Sequence, residues 1–165
     1  MTLETNLEQR LQRLEDKQAV LELKYRYLNA CDEKQPDVVA ECFKRGKIDI
    51  DFGHIGQFDN REDFVSVFKA LGCHEHIIDM HHAKNPVFLD LTQNSARLKI
   101  SMRFQSINTQ DKTSIELGGY YLDGYQKVGG RWFITQSSFT INSVKMMDFS
   151  TQENRLIYAG NCMPK

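Results

Sequence analysis

The first forty residues carry apolar side chains at steps of three and four, the period of an α-helix with one face turned to a core. A second apolar row widens that face in the later part of the stretch. The pattern predicts one long helix over residues 5 to 31, with its C-terminal half better buried than its start. The first row is Leu7, Leu11, Leu14, Leu21, Tyr25 and Leu28, and the second is Val20, Leu23, Tyr27 and Cys31.

The next position of the first row is Asp32, where another apolar residue would be expected. An ionised carboxylate that loses water without gaining a partner is destabilising, so a buried Asp pairs with a hydrogen-bonding group or changes its protonation. A carboxylate on an inward row is therefore a candidate for acid–base chemistry. The alternative is that Asp32 only caps or ends the helix near the turn at Pro36.

Two short helices and a strand are predicted next. Pro36 favours a second helix that runs to Phe43, because proline is tolerated in a first turn. Strict alternation over residues 48 to 52 predicts a strand with one buried face. Asn60 can cap a third helix, with Gly72 just past its end. This third helix presents Phe64, Phe68 and Leu71 on one face.

From residue 77 onward the period changes to two, which is typical of half-buried antiparallel strands. A helix followed by a four-stranded meander predicts an α+β domain whose sheet packs on the long helix. Gly118-Gly119 inside a strand predicts a bend that curls the sheet and leaves a ligand cavity against the helix. The predicted strands cover residues 80 to 91, 96 to 105, 113 to 127 and 131 to 144, with turns at 93 to 94, 108 to 111 and 129 to 130.

A histidine could meet Asp32 in that cavity. Alternation places His81 on the more apolar face of its strand and His82 on the other, although a bulge at Pro86 would reverse the phase upstream of it. A carboxylate beside His81 would fix the tautomer of the imidazole and stabilise the imidazolium that forms when the ring takes a proton. The alternative is a hydrogen-bonded core histidine. The predicted inward set is His81, Ala83, Asn85, Val87, Leu89 and Leu91.

Other histidines and aromatic side chains are further candidates for a site or for the core. His74-Glu75-His76 raises the alternative of zinc, but no HExxH or Cys-rich spacing accompanies it, so no metal site is predicted. Tyr27 lies five residues before Asp32, and its phenol either reaches the pocket or fills the core. The aromatic residues of the late strands are predicted to line the core and pocket: Tyr120, Tyr121, Tyr125, Trp132 and Phe133.

Size and charge narrow the class of protein. The chain has 165 residues, the size of one domain, and 21 basic against 22 acidic residues. Neither nucleic acid nor an anionic membrane is favoured as a partner. No apolar stretch approaches the ~20 residues that span a bilayer, and the N-terminus lacks a signal-peptide pattern. The cysteines form no CxxC pair, which predicts reduced thiols and a cytoplasmic location: Cys31, Cys42, Cys73 and Cys162.

Three stretches and the order of elements resemble a known family. They are RYLNACDEKQPDVVAECF early, MHHAKNPVFLDL in the middle and GGYYLDGYQKVGGRWFITQ late. The chain resembles the SnoaL-like branch of the nuclear transport factor 2-like superfamily, which implies a cone-shaped, cystatin-like sheet wrapped around the N-terminal helix. The resemblance covers residues 5 to 145 of a predicted single domain over 1 to 165, and leaves 146 to 165 as a C-terminal extension.

The resemblance also implies site residues. In similar dehydratases and dehydrochlorinases, an Asp and a His at the positions of Asp32 and His81 form the base that starts an elimination, and a Tyr at the position of Tyr27 assists. A further catalytic His of some relatives has no counterpart, since no histidine follows residue 82. Substrate identity therefore does not transfer. The implied pocket positions are Phe52, Asn85, Phe104, Tyr121 and Ser137.

Two functions are compatible with this reading. The first is a cofactor-independent lyase or isomerase acting on a small, largely apolar molecule. The second is a ligand-binding or oligomerisation module that keeps the Asp–His pair as a structural bond. The outer sheet face and the resemblance lead us to expect a homodimer or homotrimer. Residues 145 to 165 are too apolar for a free tail and are expected either to close the pocket or to cross to a neighbour.

Overall fold

The structure of the protein, a computed structural model, describes residues 3–165, with side chains from Asn6 onward. The predicted helices, the predicted short strand over residues 48 to 52 and the long strands are present, and one two-residue strand and a final strand are added to them. The helices are α1 (Leu3–Asp32), α2 (Pro36–Cys42) and α3 (Arg61–Gly72), with a 3₁₀ turn at Gly53–Ile55. The strands are β1 (Asp49–Asp51), β2 (Gln57–Phe58), β3 (Ile77–Leu91), β4 (Ser95–Asn108), β5 (Thr113–Val128), β6 (Arg131–Asp148) and β7 (Arg155–Gly160).

The strands form one sheet in the order β2-β1-β6-β5-β4-β3. Strands β3 to β6 are the predicted antiparallel meander. Strand β1 joins β6 in parallel, so the sheet is mixed, and β7 folds back antiparallel on the end of β6. The expected α+β class, with a curved sheet and a long first helix, is confirmed.

Helix α1 is buried along its C-terminal half, as predicted. The whole second row lies in the core, together with Leu28 of the first row. The second row is Val20, Leu23, Tyr27 and Cys31. The first row fails at its start, because Leu7, Leu11 and Leu14 are 64%, 55% and 63% exposed. The helix meets the sheet near its middle: Arg13 donates to the Leu91 carbonyl at the end of β3, and Asp16 accepts from Lys127 and Trp132.

The predicted bend at Gly118-Gly119 is present as a slip in the pairing of β5 with β6. A β-carbon on Gly119 would lie 2.0 Å from the carbonyl oxygen of Thr140, which no side chain could tolerate. A second slip follows between Gly124 and Tyr125. Such irregularities increase the local twist of a sheet and turn its face around the helix.

Two further predictions concern membrane-spanning helices and the state of the cysteines. No described helix has the length and apolar character required to cross a bilayer. The four cysteines are free thiols, with Cys31 and Cys42 in the core.

Candidate active site

A cavity of about 330 Å³ lies between the concave face of the sheet, the end of α1, the 3₁₀ turn and α3. Its volume is at the lower end of the range for small-molecule sites. Aromatic rings form most of the wall: Tyr27, Phe52, Phe64, Phe68, Phe104, Tyr121 and Phe139. The polar side chains that reach it are Cys31, His54, Asp79, His81 and Ser106.

A larger cleft of about 570 Å³ lies beside the first half of α1. Most of its lining consists of Asn, Gln and Arg side chains, together with Asp16 and Leu91. It lacks the apolar wall and converging titratable groups that characterise ligand sites. The smaller, aromatic cavity is therefore the candidate site.

Asp32 and His81 meet at the cavity wall. Oδ1 of Asp32 lies 2.5 Å from Nδ1 of His81, and Oδ2 accepts the backbone N–H of the same residue at 2.9 Å. The side chains are 23% and 14% exposed, respectively. A carboxylate accepts hydrogen bonds, so Nδ1 carries the proton and Nε2 is the free acceptor of the neutral ring.

Asp32 reaches this position as the final residue of α1, at the point where the chain turns towards α2. The apolar row from which the sequence singled it out is exposed at Leu7, Leu11 and Leu14 but buried at Leu28, one turn before Asp32. The predicted contact is present. The end of the helix points the carboxylate across to β3.

A bulge in β3 beyond His81 changes which residues face inward on the C-terminal side of the strand. The register slips between Lys84 and Val87, where Asn85 has a φ of 54°, and again between Phe88 and Asp90. His81 faces inward as predicted. The predicted inward positions of Val87 and Leu89 are wrong, since both are about half exposed and Phe88 takes the inward place.

Three of the five expected pocket residues line the cavity and two do not. Phe52, Phe104 and Tyr121 are part of the wall, and the Phe104 ring lies 4.6 Å from the His81 ring between centroids. Asn85 is exposed on the bulge, because the left-handed backbone that asparagine tolerates removes it from the alternation. Ser137 is fully buried in β6 and donates to Asp123 at 2.7 Å, which keeps its hydroxyl away from the cavity.

Tyr27 lies on the cavity wall, as expected. Its ring packs edge-on against Phe43, with 5.2 Å between centroids. Burial raises the pKa of the Tyr27 phenol well above its usual value, and the pKa of Tyr121 is raised for the same reason. Both phenols are therefore neutral hydrogen-bonding groups at physiological pH.

A buried ion pair lies under the cavity wall and was not anticipated from the sequence. Nζ of Lys24 lies 2.9 Å from Oδ2 of Asp123 and 3.3 Å from the ring centre of Tyr121. Asp123 also accepts from Ser137 and from Tyr125. Burial lowers the pKa of Lys24, and the Asp123 carboxylate opposes that shift. The sequence did contain a signal for the burial of Lys24. It lies four residues from both Val20 and Leu28, so it shares their face of the helix.

Asp79 is a second carboxyl group in the cavity that sequence reasoning missed. It precedes His81 by two residues on β3, so strand alternation puts both on one face. Its Oδ1 atom is buried without a hydrogen-bond partner among the described residues. Desolvation raises the pKa of Asp79, while Ser106, His81 and Lys34 act in the opposite direction.

The histidines considered for zinc do not converge. His74 and His76 stack on each other with ring centres 5.2 Å apart, and His82 is exposed on the outer side of β3. Among the described side chains, no group of three or more His, Cys, Asp or Glu residues is arranged to hold a metal ion.

A curved sheet, a long helix and an aromatic cavity with an Asp–His contact beside it define an α+β protein of the cystatin-like kind. Residues 12–138 match the model of the SnoaL-like domain. The chain belongs to the SnoaL-like family.

Solved structures share this fold at low sequence identity. A provisionally assigned scytalone dehydratase from Novosphingobium aromaticivorans has 16% identity and a TM-score of 0.73, over 88% of this chain and 95% of the other. A type 2 hexachlorocyclohexane dehydrochlorinase, LinA, has 14% identity and a TM-score of 0.74, over 94% and 97%. The LinA-type3 enzyme from Novosphingobium barchaimii has 14% identity and a TM-score of 0.72, over 94% and 99%. At these identities the similarity establishes the fold and not a substrate.

Proposed function

We propose that the protein is a lyase or isomerase without a cofactor, in which His81 removes a proton from a carbon atom of a small, largely apolar molecule. The contact of Asp32 with Nδ1 of His81, whose side chain lines an aromatic cavity, carries this proposal. The fold is also that of a dehydrochlorinase, an enzyme whose name denotes elimination.

The chemistry begins with the neutral imidazole. Asp32 holds the proton on Nδ1, which leaves the lone pair of Nε2 to take the carbon-bound proton. The carboxylate then stabilises the imidazolium. A positioned general base of this kind contributes about 10²- to 10⁴-fold to a rate. The neutral phenol of Tyr27 can donate a hydrogen bond to an oxygen of the substrate.

The cavity limits the class of substrate. At about 330 Å³, with a mostly aromatic wall, it suits a compact molecule with at most a few polar atoms. Acetophenone is a suitable probe, because it is small, has an aromatic ring and carries weakly acidic protons beside a carbonyl group.

The test is exchange of the methyl protons of acetophenone in D2O, followed by proton NMR. We expect the protein to accelerate exchange, and the His81→Gln and Asp32→Asn variants to lose about 10²-fold or more of that acceleration. The matched control is His82→Gln, which changes the neighbouring histidine on the outer side of the strand. Full exchange in folded His81→Gln, or an equal loss in His82→Gln, would contradict the proposal.

A second candidate function is a binding module in which the pair is structural. It is favoured by the other oxygen of Asp32, which accepts the backbone N–H of His81 and so ties β3 to the end of α1. In that case Asp32→Asn would lower the free energy of unfolding, and the wild-type protein would exchange acetophenone no faster than free imidazole does. Urea unfolding measured beside the exchange assay separates the two functions.

A further inference from the structure

Asp79 lies in the cavity beside the proposed base, and the mechanism above gives it no role. Both side chains face inward from one strand, and residues two apart on a strand are separated by about 7 Å. Across the sheet, Asp79 is paired in register with Ser106 of β4. Its Oδ1 atom is shielded from solvent and has no hydrogen-bond partner among the described residues, while hydrogen bonding by Ser106 lowers the pKa of the carboxyl group. Because Asp79 lines the cavity, a ligand bound there would lie beside this carboxyl group.

The surroundings of Asp79 favour its protonated form. The last residue of α3, Gly72, lies close to the Asp79 carboxyl group. A β-carbon on Gly72 would be 3.7 Å from Oδ2 of Asp79. The C-terminal end of a helix carries partial negative charge, which opposes an ionised carboxylate. Desolvation is the main reason that the pKa of Asp79 is raised.

Charged and titratable groups approach Asp79 from each neighbouring element. Asp32 at the end of α1 raises the pKa of Asp79, whereas His81 and Lys34 lower it. The Lys34 ammonium group donates to the Ile77 carbonyl at 2.7 Å, so it forms its bond with the backbone rather than with Asp79. Cys73, beside the end of α3, has a raised thiol pKa and remains neutral.

We propose that Asp79 is the proton donor of the cavity, and that the substrate therefore carries a neutral hydroxyl or carbonyl oxygen next to the carbon that loses its proton. This inference rests on the proposed function, because it assigns the second proton transfer of the same reaction. The spacing supports it: residues two apart on a strand are separated by about 7 Å, so a C–C–O unit with a contact of roughly 3 Å at each end fits between the two side chains.

The elimination step balances with these two residues. Nε2 of His81 takes the proton from carbon, the C–H electron pair becomes the new C=C bond, and the C–O bond breaks. The leaving oxygen keeps the electrons of that bond, accepts the proton of Asp79 and departs as water. Asp79 is then a carboxylate and His81 an imidazolium, and proton transfer through water from His81 to Asp79 restores both.

The experiment compares the binding of acetophenone with that of isopropylbenzene, which has nearly the same shape and no oxygen. Affinities are measured between pH 4 and pH 9 from ligand-induced NMR shifts of the protein. We expect the preference of the wild-type protein for acetophenone to fall about tenfold as Asp79 ionises, the effect of one hydrogen bond. Asp79→Asn, which keeps a donor that cannot titrate, should remove this pH dependence. Asp79→Leu should lack the preference at every pH.

Two controls accompany the binding measurements. Asp90→Asn changes an exposed carboxylate of the same strand and should behave as the wild type does. The carboxyl carbon signal of Asp79, identified by its loss in Asp79→Asn, should titrate above the usual aspartate pKa of about 3.9.

The outcomes separate this inference from the proposed function. If acetophenone is preferred equally by the wild type and Asp79→Leu, or if Asp79→Asn keeps the wild-type pH dependence, the donor role is overturned even where exchange depends on His81. If the preference follows Asp79 as expected but His81→Gln retains full exchange, the donor assignment is supported and the proposed base fails.

Discussion

The ionisation of Asp79 should be visible in the stability of the protein. Burial raises the pKa of Asp79 above its ordinary value of 3.8, so in the window between these two values the folded state binds more protons than the unfolded state. The free energy of unfolding therefore falls as the pH rises through this window, by the linkage relation. The carboxylate is less well accommodated in the fold than the acid.

We expect Asp79→Asn to remove this loss. The variant should gain stability relative to the wild-type protein at pH 7, and the difference should shrink towards pH 3, where Asp79 is protonated in both states. Urea unfolding at several pH values measures it. A constant difference across the range would show that Asp79 does not titrate with a raised pKa.

Lys24 and Asp123 form a buried ion pair, and replacing only one of the two residues is expected to destabilise the fold. Both side chains are 0% exposed, and Lys24 has the ring of Tyr121 on one side. Removing one partner of a buried pair leaves an uncompensated charge. Asp123→Ala is therefore expected to lower the free energy of unfolding by about 3–5 kcal/mol.

The control for this prediction is the surface pair of Arg103 and Glu116, in which Nη2 and Oε2 are 2.8 Å apart. Arg103→Ala should change the free energy of unfolding by less than about 1 kcal/mol, because water and salt screen an exposed pair. The double change Lys24→Met with Asp123→Leu should recover much of the loss. Equal effects of Asp123→Ala and Arg103→Ala would contradict this account.

At the scale of elements, α1 contains two segments with different roles. Its second half packs in the core through Val20, Leu23 and Tyr27 and ends at Asp32. Its first half has exposed leucines and meets the sheet at Arg13 and Asp16. The second half alone positions the candidate site.

The same substitution in each half tests this division. Leu23→Ala should lower the free energy of unfolding by about 2–5 kcal/mol, since it removes a buried side chain. Leu11→Ala should change it by no more than about 0.5 kcal/mol, as is usual at exposed positions. Chemical denaturation gives both values. A large loss in Leu11→Ala would instead indicate that the first half is covered in solution by another surface.

Strand β3 shows how a single element controls the site. Its bulge at Asn85 changes which residues face inward on the C-terminal side, while Asp79 and His81 keep their phase on the N-terminal side. The side chains that converge on the cavity thus precede the bulge. The other end of the strand packs Phe88 and Leu91 against the core.

At the scale of the whole molecule, the C-terminal extension belongs to the sheet. Residues Met146 to Asp148 complete β6, and β7 pairs with them. No residue after Phe139 lines the cavity in the described structure, so the extension does not close the pocket within one chain. Its expected crossing to a neighbour stays a prediction.

The outer face of the sheet leads us to expect a homo-oligomer. Ile78, Met80, Val87 and Leu89 are each about half exposed along the edge strand β3. Light scattering on the purified protein should give two or three times the 19.2 kDa of one chain. Met80→Glu should reduce that mass, whereas Leu11→Glu, at an apolar position on another surface, should not. A wild-type mass of one chain would contradict the prediction.

The sequence by itself determined the elements and one contact of the site. Periods of 3.6 and 2 depend only on neighbouring residues, so the helices, the meander and the inward phase of His81 could be predicted. The Asp32–His81 contact was reached through the spacing together with the family resemblance. The exposure of Leu7, Leu11 and Leu14 could not be predicted, because it depends on where the sheet ends.

Tertiary structure decided the rest. The predicted pocket positions of Asn85 and Ser137 are wrong. A bulge turns Asn85 away from the cavity, and a buried hydrogen bond to Asp123 holds Ser137 away from it. The pairing of Lys24 with Asp123 joins residues about a hundred positions apart, and the unpartnered state of Asp79 depends on α3 and β4 packing around it. Periodicity reports the face on which a side chain lies. The group that it meets there is set by long-range packing.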